Sequence, residues 1–177
     1  MRVASERFPV VSYERLGMYS GGGNALASSF MQTAENKPES GGGPLGAVLE
    51  ELLALAREAA RHSYSPYSEF KVGAALKLTS GEIVTGTNVE NASYGLTVCA
   101  ERAALVRAVA MFGPEIRIAA AAVANLNDAP SPPCGACRQV LAEFMLPETP
   151  VAFPAQDGMR AMPLSALLPM AFEKKRK

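Results

Sequence analysis

The chain has 177 residues, the size of one ordinary domain, and 49% of them are hydrophobic against 19% charged. That is ample material for a core and excludes a chain disordered throughout. Seventeen Lys and Arg balance seventeen Asp and Glu, so no net field draws the body toward nucleic acid or an anionic membrane.

The first 46 residues hold eight of the fifteen glycines, including Gly21-Gly22-Gly23 and Gly41-Gly42-Gly43. Ordering such chain costs entropy and buries little, so residues 1–46 are expected to form a flexible extension and residues 47–177 the folded domain. Met18 and Met31 lie within the extension as candidates for the true translation start. Its apolar stretch Phe8-Pro9-Val10-Val11 is too short for a signal peptide and is flanked by Glu6 and Glu14. A cytoplasmic location follows as the expectation.

From Ala47 a helical stripe appears: Val48, Leu52, Leu55 and Ala59, widened by Leu49, Ala56 and Ala60. Glu50 and Glu51 are placed in the first turn and Arg57 and Arg61 near the end, the sense the helix dipole favours. Ser65-Pro66 must lie beyond the helix end, since proline disfavours helical geometry in the residue before it. Phe70 to Leu78 alternates as a strand, Thr79–Glu82 turns, and Ile83–Thr87 returns. Residues 99–112 read as a second helix, stopped by Gly113-Pro114. Ile116–Ala124 is a strand of small residues able to be covered on both faces. It contains the longest apolar run, Ile118 to Ala124, far short of the ~18 residues a membrane helix needs. Residues 135–145 read as a third helix, 151–153 and 159–162 as short strands around Gln156-Asp157-Gly158, and 164–168 as the start of a closing helix. Residues 173–177, Glu-Lys-Lys-Arg-Lys, form a short basic tail. The order αββαβαββα predicts an α/β layered fold with a mixed sheet of about five strands.

The three cysteines direct attention to chemistry. Cys134 and Cys137 form a C-x-x-C pair opening a helix, and Cys99 heads another, two residues before Glu101. In mid-helix, residues two apart face different ways, whereas in a first turn both reach the space beyond the helix N-terminus. There the positive dipole end also favours a thiolate. Three thiolates at two helix starts would hold zinc with one tetrahedral position open to water, which marks a catalytic rather than a structural site. A thioredoxin-like redox pair lacks its surrounding pattern. The single histidine, His62, has no ligand partner at metal spacing and is left out of the site.

Cys99-Ala100-Glu101-Arg102 followed by Pro133-Cys134-Gly135-Ala136-Cys137-Arg138-Gln139-Val140 resembles the cytidine deaminase family. Phe70-Lys71-Val72-Gly73-Ala74-Ala75-Leu76, Asn88-Val89-Glu90-Asn91-Ala92-Ser93-Tyr94 and Leu167-Leu168-Pro169-Met170-Ala171-Phe172 extend the likeness in order. It spans roughly residues 47–172. The resemblance implies a three-layer α/β/α fold with one Zn2+ per subunit on Cys99, Cys134 and Cys137. It further implies hydrolytic conversion of cytidine and 2′-deoxycytidine to the uridines plus ammonia, as in pyrimidine salvage. Glu101 would be the proton shuttle, serving first the ring nitrogen and then the departing ammonia. Arg102 would offset the thiolate charge that otherwise weakens the metal as a Lewis acid. Backbone around Ala100 would hold the pyrimidine carbonyl, Phe70 would pack on the base, and Asn88 with Glu90 would bind the sugar 3′-hydroxyl, Glu90 as a buried carboxylate. The resemblance also implies a homotetramer in which Ala92, Tyr94 and Phe172 reach a neighbouring subunit's site. A nucleoside substrate is expected, with no nucleic-acid or membrane partner. Rivals are a blasticidin-type deaminase, a polynucleotide deaminase, for which the four-residue basic tail is a poor phosphate track, and a non-catalytic zinc scaffold, which would have no use for Glu101.

Overall fold

The computed structural model describes residues 43–174. Residues 1–42 and 175–177, most of the segment read as an extension and most of the basic tail, lie outside the described residues. Helix α1 spans Pro44–Ala60, so Pro44, Leu45 and Gly46 belong to the helix and not to the extension. Proline at the first helical position gives up no hydrogen bond and presets φ, which explains the earlier start. The shift moves Glu50 and Glu51 out of the first turn, which holds no acidic residue, while Arg57 stays in the last. The buried line of α1 is Leu49, Leu52, Ala56 and Ala60, with Val48 and Leu55 flanking it.

Strands β1 (Val72–Leu78) and β2 (Ile83–Thr87) form the predicted hairpin. A short 3-10 turn, Tyr94–Leu96, precedes α2 (Ala100–Phe112). Then come β3 (Ile118–Asn125), α3 (Gly135–Ala142), β4 (Pro150–Ala155), β5 (Gly158–Pro163) and α4 (Leu164–Leu167). The sheet order is β2-β1-β3-β4-β5; β3 and β4 run parallel and the other neighbours antiparallel. This is the expected mixed sheet of five strands.

Further boundaries differ from the sequence reading: β3 begins at Ile118 rather than Ile116, and two others shift for identifiable reasons. Helix α3 stops at Ala142, short of residue 145, because the next residues serve the sheet. Phe144 O accepts the Ile118 N–H (2.9 Å), and Met145 bridges Ile118. Phe70 and Lys71 stand outside β1, because the Lys71 N–H is taken by the Asn127 side chain (2.9 Å) and Lys71 O by the Leu126 N–H (3.1 Å).

Side chains of β3 alternate between two cores. Ala121 and Val123 join Leu76, Val84, Ala104, Leu105 and Leu141 on the face covered by α2 and α3. Ala120, Ala122 and Ala124 meet Leu49, Leu52 and Ala56 of α1 on the other. This gives the three-layer arrangement and explains a strand of alanines: helices press on both sides. Two glycines set how closely. A Cβ on Gly73 would stand 2.0 Å from Ala56 O of α1, and one on Gly86 would stand 2.3 Å from Ala104 N and 2.6 Å from Ala100 O of α2. Gly86 thus lets the first turn of α2 lie directly on β2, which fixes where Cys99 and Glu101 sit.

Candidate metal centre and active site

Cys99 is the N-cap of α2, in extended backbone, with its carbonyl accepting the Ala103 N–H (3.0 Å). Cys134 is the N-cap of α3, and its Sγ accepts the Cys137 N–H at 3.5 Å. A sulfur acceptor at this position answers one of the unpaired amides of the first turn, as an oxygen does at an ordinary cap. The two helix starts converge. Cys99 Sγ lies 3.9 Å from Cys134 Sγ, Cys134 Sγ lies 3.4 Å from Cys137 Sγ, and all three sulfurs fall within 4.8 Å of one another. A tetrahedral zinc with bonds near 2.3 Å separates its sulfurs by about 3.8 Å. The donor set therefore fits zinc, in kind and in spacing, with a fourth position left for a non-protein ligand.

The charges around the sulfurs are uneven. The Cys99 thiol is pushed down to about 5, first by the hydrogen bond from Cys137, with Arg102 and Cys134 adding to it and partial burial opposing. Cys137, fully buried, is pushed up by the same contact with Cys99, by burial and by the nearby Glu101 carboxylate. Arg102 carries the compensating charge, with Nη2 3.9 Å from Cys99 Sγ and 2.7 Å from Thr97 O. Glu101, in the first turn of α2, is only 5% exposed, and burial, reinforced by the negative charge on Cys99, raises its carboxyl above the usual range.

A cleft of about 330 Å³ opens over this floor. Phe70, Asn88, Cys99, Ala100, Glu101 and Cys134 line it, so six of the residues anticipated from sequence do meet at one place. Asn88 is nearly buried and already committed. Its Oδ1 accepts from Ser63 Oγ (2.5 Å) and the Val72 N–H (2.9 Å), while Nδ2 donates to Phe70 O (2.9 Å) and keeps one hydrogen for another acceptor. Glu90 is not the buried carboxylate expected. It is half-buried and does not line the cleft, and its oxygens accept from the Tyr67 N–H (2.9 Å), the Ser68 N–H (3.3 Å) and Ser68 Oγ. These bonds, the Ser68 hydroxyl first, hold its carboxyl below the ordinary value. Ala92, Tyr94 and Phe172 do not line this cleft and are exposed; Tyr94 is 92% exposed and Phe172 74%. His62 follows the end of α1, exposed, as expected of a residue outside the site.

Several contributors escaped the sequence reading. Thr97, Val123, Pro130, Ser131 and Pro132 complete the cleft wall. Arg138 braces the approach to Cys134, donating from Nε to Pro133 O (2.7 Å) and from Nη1 to Leu167 O (2.8 Å). Its signal was its place in the helical turn after Cys134. Asn125, buried at the end of an alanine strand, was legible as a polar residue with no apolar reason to be there.

Three cysteine sulfurs at zinc spacing, with the buried Glu101 two residues from one of them, fit the class of hydrolytic zinc enzymes. Comparison with known proteins narrows the class. The model of the cytidine and deoxycytidylate deaminase zinc-binding region matches residues 46–153. The chain is 46% identical over 122 residues to the cytidine deaminase of Halalkalibacterium halodurans, covering 68% of this chain and 91% of that protein. It is 45% identical over 117 residues to the cytidine deaminase of Mycobacterium tuberculosis, covering 66% and 84%. The crystal structure of cytidine deaminase from Burkholderia pseudomallei aligns with a TM-score of 0.63 at 46% identity, over 70% of this chain and 98% of that one. The chain belongs to the zinc-dependent cytidine deaminase family.

Proposed function

We propose that Glu101 carries the protons in the reaction this chain performs, the hydrolytic deamination of cytidine and 2′-deoxycytidine to uridine and 2′-deoxyuridine with release of ammonia. Cys99, Cys134 and Cys137 would hold the zinc, which would supply an activated water for attack at C4 of cytosine. Glu101 accepts one proton from the water and returns it to ring N3. It then takes the second from the new C4 hydroxyl as that becomes the carbonyl and hands it to the departing amine, which leaves as ammonia. Water enters and ammonia leaves, so the carboxyl ends as it began. The observation that carries this reading is the burial of Glu101 at the first turn of the helix that Cys99 caps. An acid whose proton is held more tightly by desolvation is suited to returning it.

The same reading gives Arg102 the task of balancing thiolate charge, the Ala100 backbone the pyrimidine carbonyl, Phe70 the base, and Asn88 with Glu90 the ribose. It also supports a homotetramer in the cytoplasm. Tyr94, Leu96, Met170 and Phe172 are large apolar side chains left in water, which an interface between copies would cover. Phe172 is held out deliberately: its N–H and C=O pair with the Gln139 side chain at 3.1 and 2.8 Å. Ala92, Tyr94 and Phe172 are therefore assigned to the sites of neighbouring subunits. The catalytic domain is assigned to residues 47–177 together with the first turn of α1 from Pro44.

Incubating the pure protein with cytidine, deoxycytidine, CMP, cytosine and blasticidin S, and following loss of the cytosine chromophore, tests the substrate. Turnover of the two nucleosides is expected. Turnover confined to CMP, cytosine or blasticidin S overturns the substrate assignment.

A further inference from the structure

Among the described residues, two that are not glycine adopt left-handed backbone, Glu69 (φ 57°) and Asp128 (φ 50°). Such residues persist only where their surroundings over-determine them. Here they occupy two facing turns at the mouth of the cleft. The first turn ends at Phe70 and is tied by the Glu69 N–H to Ser65 O (3.0 Å) and the Phe70 N–H to Ser68 Oγ (3.0 Å). The second runs from Asn125 to Ser131 and is organised by the Asn125 side chain. Its Oδ1 accepts from the Asn127 and Ala129 N–H groups (2.9 and 3.3 Å), and its Nδ2 donates to Ala129 O (2.6 Å) and Ser131 Oγ (2.8 Å).

One side chain joins the two turns. Asn127 Oδ1 accepts the Lys71 N–H at 2.9 Å, and Asn127 Nδ2 donates to Glu69 O at 3.1 Å. Glu69 O belongs to the peptide group before Phe70, and the Lys71 N–H to the one after it. A single amide thus grips both peptide groups of Phe70, reproducing the donor and acceptor pattern of a neighbouring strand where β1 has none. The Leu126 N–H to Lys71 O bond (3.1 Å) extends the grip by one residue. Arg57 of α1 anchors the far side, donating to Asn125 O (3.0 Å) and reaching Asp128 Oδ1 (3.4 Å).

We propose that Asn127 is a positioning residue of this deaminase, which fixes Phe70 against the cytosine base by pinning the peptide groups on either side of it. The proposal rests on the reading of the cleft as the nucleoside site. Asn127 does not line the cleft, so it acts through Phe70 and through the distance between Phe70 and the Pro130–Pro132 wall. Loosening the pair widens the slot for the base without disturbing the sulfurs or Glu101. The effect therefore falls on substrate binding and leaves the proton transfers alone.

Steady-state kinetics of the zinc-loaded enzyme test this. Asn127→Ala is expected to raise KM for cytidine about tenfold and to leave kcat within about twofold, since two hydrogen bonds and the alignment they maintain are lost. Asn127→Asp, which keeps the acceptor for Lys71 but not the donor to Glu69, is expected to fall between. In a Phe70→Ala background, Asn127→Ala is expected to add nothing, because the ring it positions is gone. An unchanged KM overturns the proposal, as does an equal loss with and without the Phe70 ring, which would make Asn127 a general support of the fold. A wild-type enzyme inert toward cytidine would instead overturn the substrate reading, so the two failures are told apart.

Discussion

The floor of the active site and its rim are built by different means. The floor consists of two helix starts pressed on the sheet: Ala100, Glu101, Pro133 and Cys137 are all buried, and the sulfurs stand at zinc spacing within one chain. The rim consists of turns. Phe70 is half-buried, Glu90 accepts from the Tyr67–Ser68 turn, and Tyr94 and Phe172 stand in water. The three sulfurs and Glu101 therefore come together within one chain, while the rim residues lie on turns and exposed segments. Damage to the floor should abolish chemistry, and damage to the rim should alter affinity.

The largest effects belong to the sulfurs. Cys99→Ser, Cys134→Ser and Cys137→Ser should each lose stoichiometric zinc and all measurable turnover, Cys137→Ser with the greatest fall in melting temperature because it is the fully buried one. Metal analysis and thermal melts decide it, and full zinc in any of them removes that cysteine from the ligand set. Next come the two contact glycines, which separate the floor from the rest of the core. Gly73→Ala and Gly86→Ala should each cost about 2–3 kcal/mol or more in urea unfolding, since each new Cβ meets backbone that cannot yield. Gly86→Ala should also weaken zinc retention against a chelator, because it shifts the first turn of α2, whereas Gly73→Ala should not. Equal zinc retention would mean that the floor tolerates movement of α2.

A smaller effect sharpens the role of the rim. Glu90→Ala should lower kcat/KM for both cytidine and 3′-deoxycytidine by loosening the Tyr67–Ser68 turn, with a further loss of about tenfold for cytidine alone from the hydroxyl contact. Identical losses would confine Glu90 to the turn. The smallest effect is on stability. The Glu90 carboxyl is held below its ordinary value of 4.5 by the Ser68 and Tyr67 bonds. Its contribution is present above that value and fades as pH falls through the folded one. The advantage of wild type over Glu90→Gln in melting temperature should therefore shrink below about pH 4.5. A gap that widened with acid would contradict the assignment.

What the sequence revealed follows the same division. Cys99, Glu101, Cys134 and Cys137 were legible because a helix start imposes local geometry, and residues one to three apart there have few ways to meet. The alanine strand β3 was legible as doubly covered from composition. The start of α1 at Pro44 was missed because the glycines before it outweighed the meaning of proline at a first turn. The end of α3 was missed because Phe144 and Met145 answer to β3, some twenty-five residues earlier in the chain. Glu90 accepts from the Tyr67 and Ser68 amides, a pairing no local pattern announces. Asn127 reaches Glu69 and Lys71 across more than fifty residues, and only the folded chain brings them together.

The measurement that bears most directly on the division of labour is the zinc content and cytidine turnover of Glu101→Gln, determined on one preparation. Glutamine keeps the shape of the side chain and cannot carry the proton. The variant should hold one zinc per chain, melt no lower than wild type because it no longer buries an ionisable carboxyl, and turn over cytidine about a thousandfold more slowly or worse. Full zinc with turnover within tenfold of wild type would show that the protons travel by another route and that the buried acid of α2 is not the proton carrier.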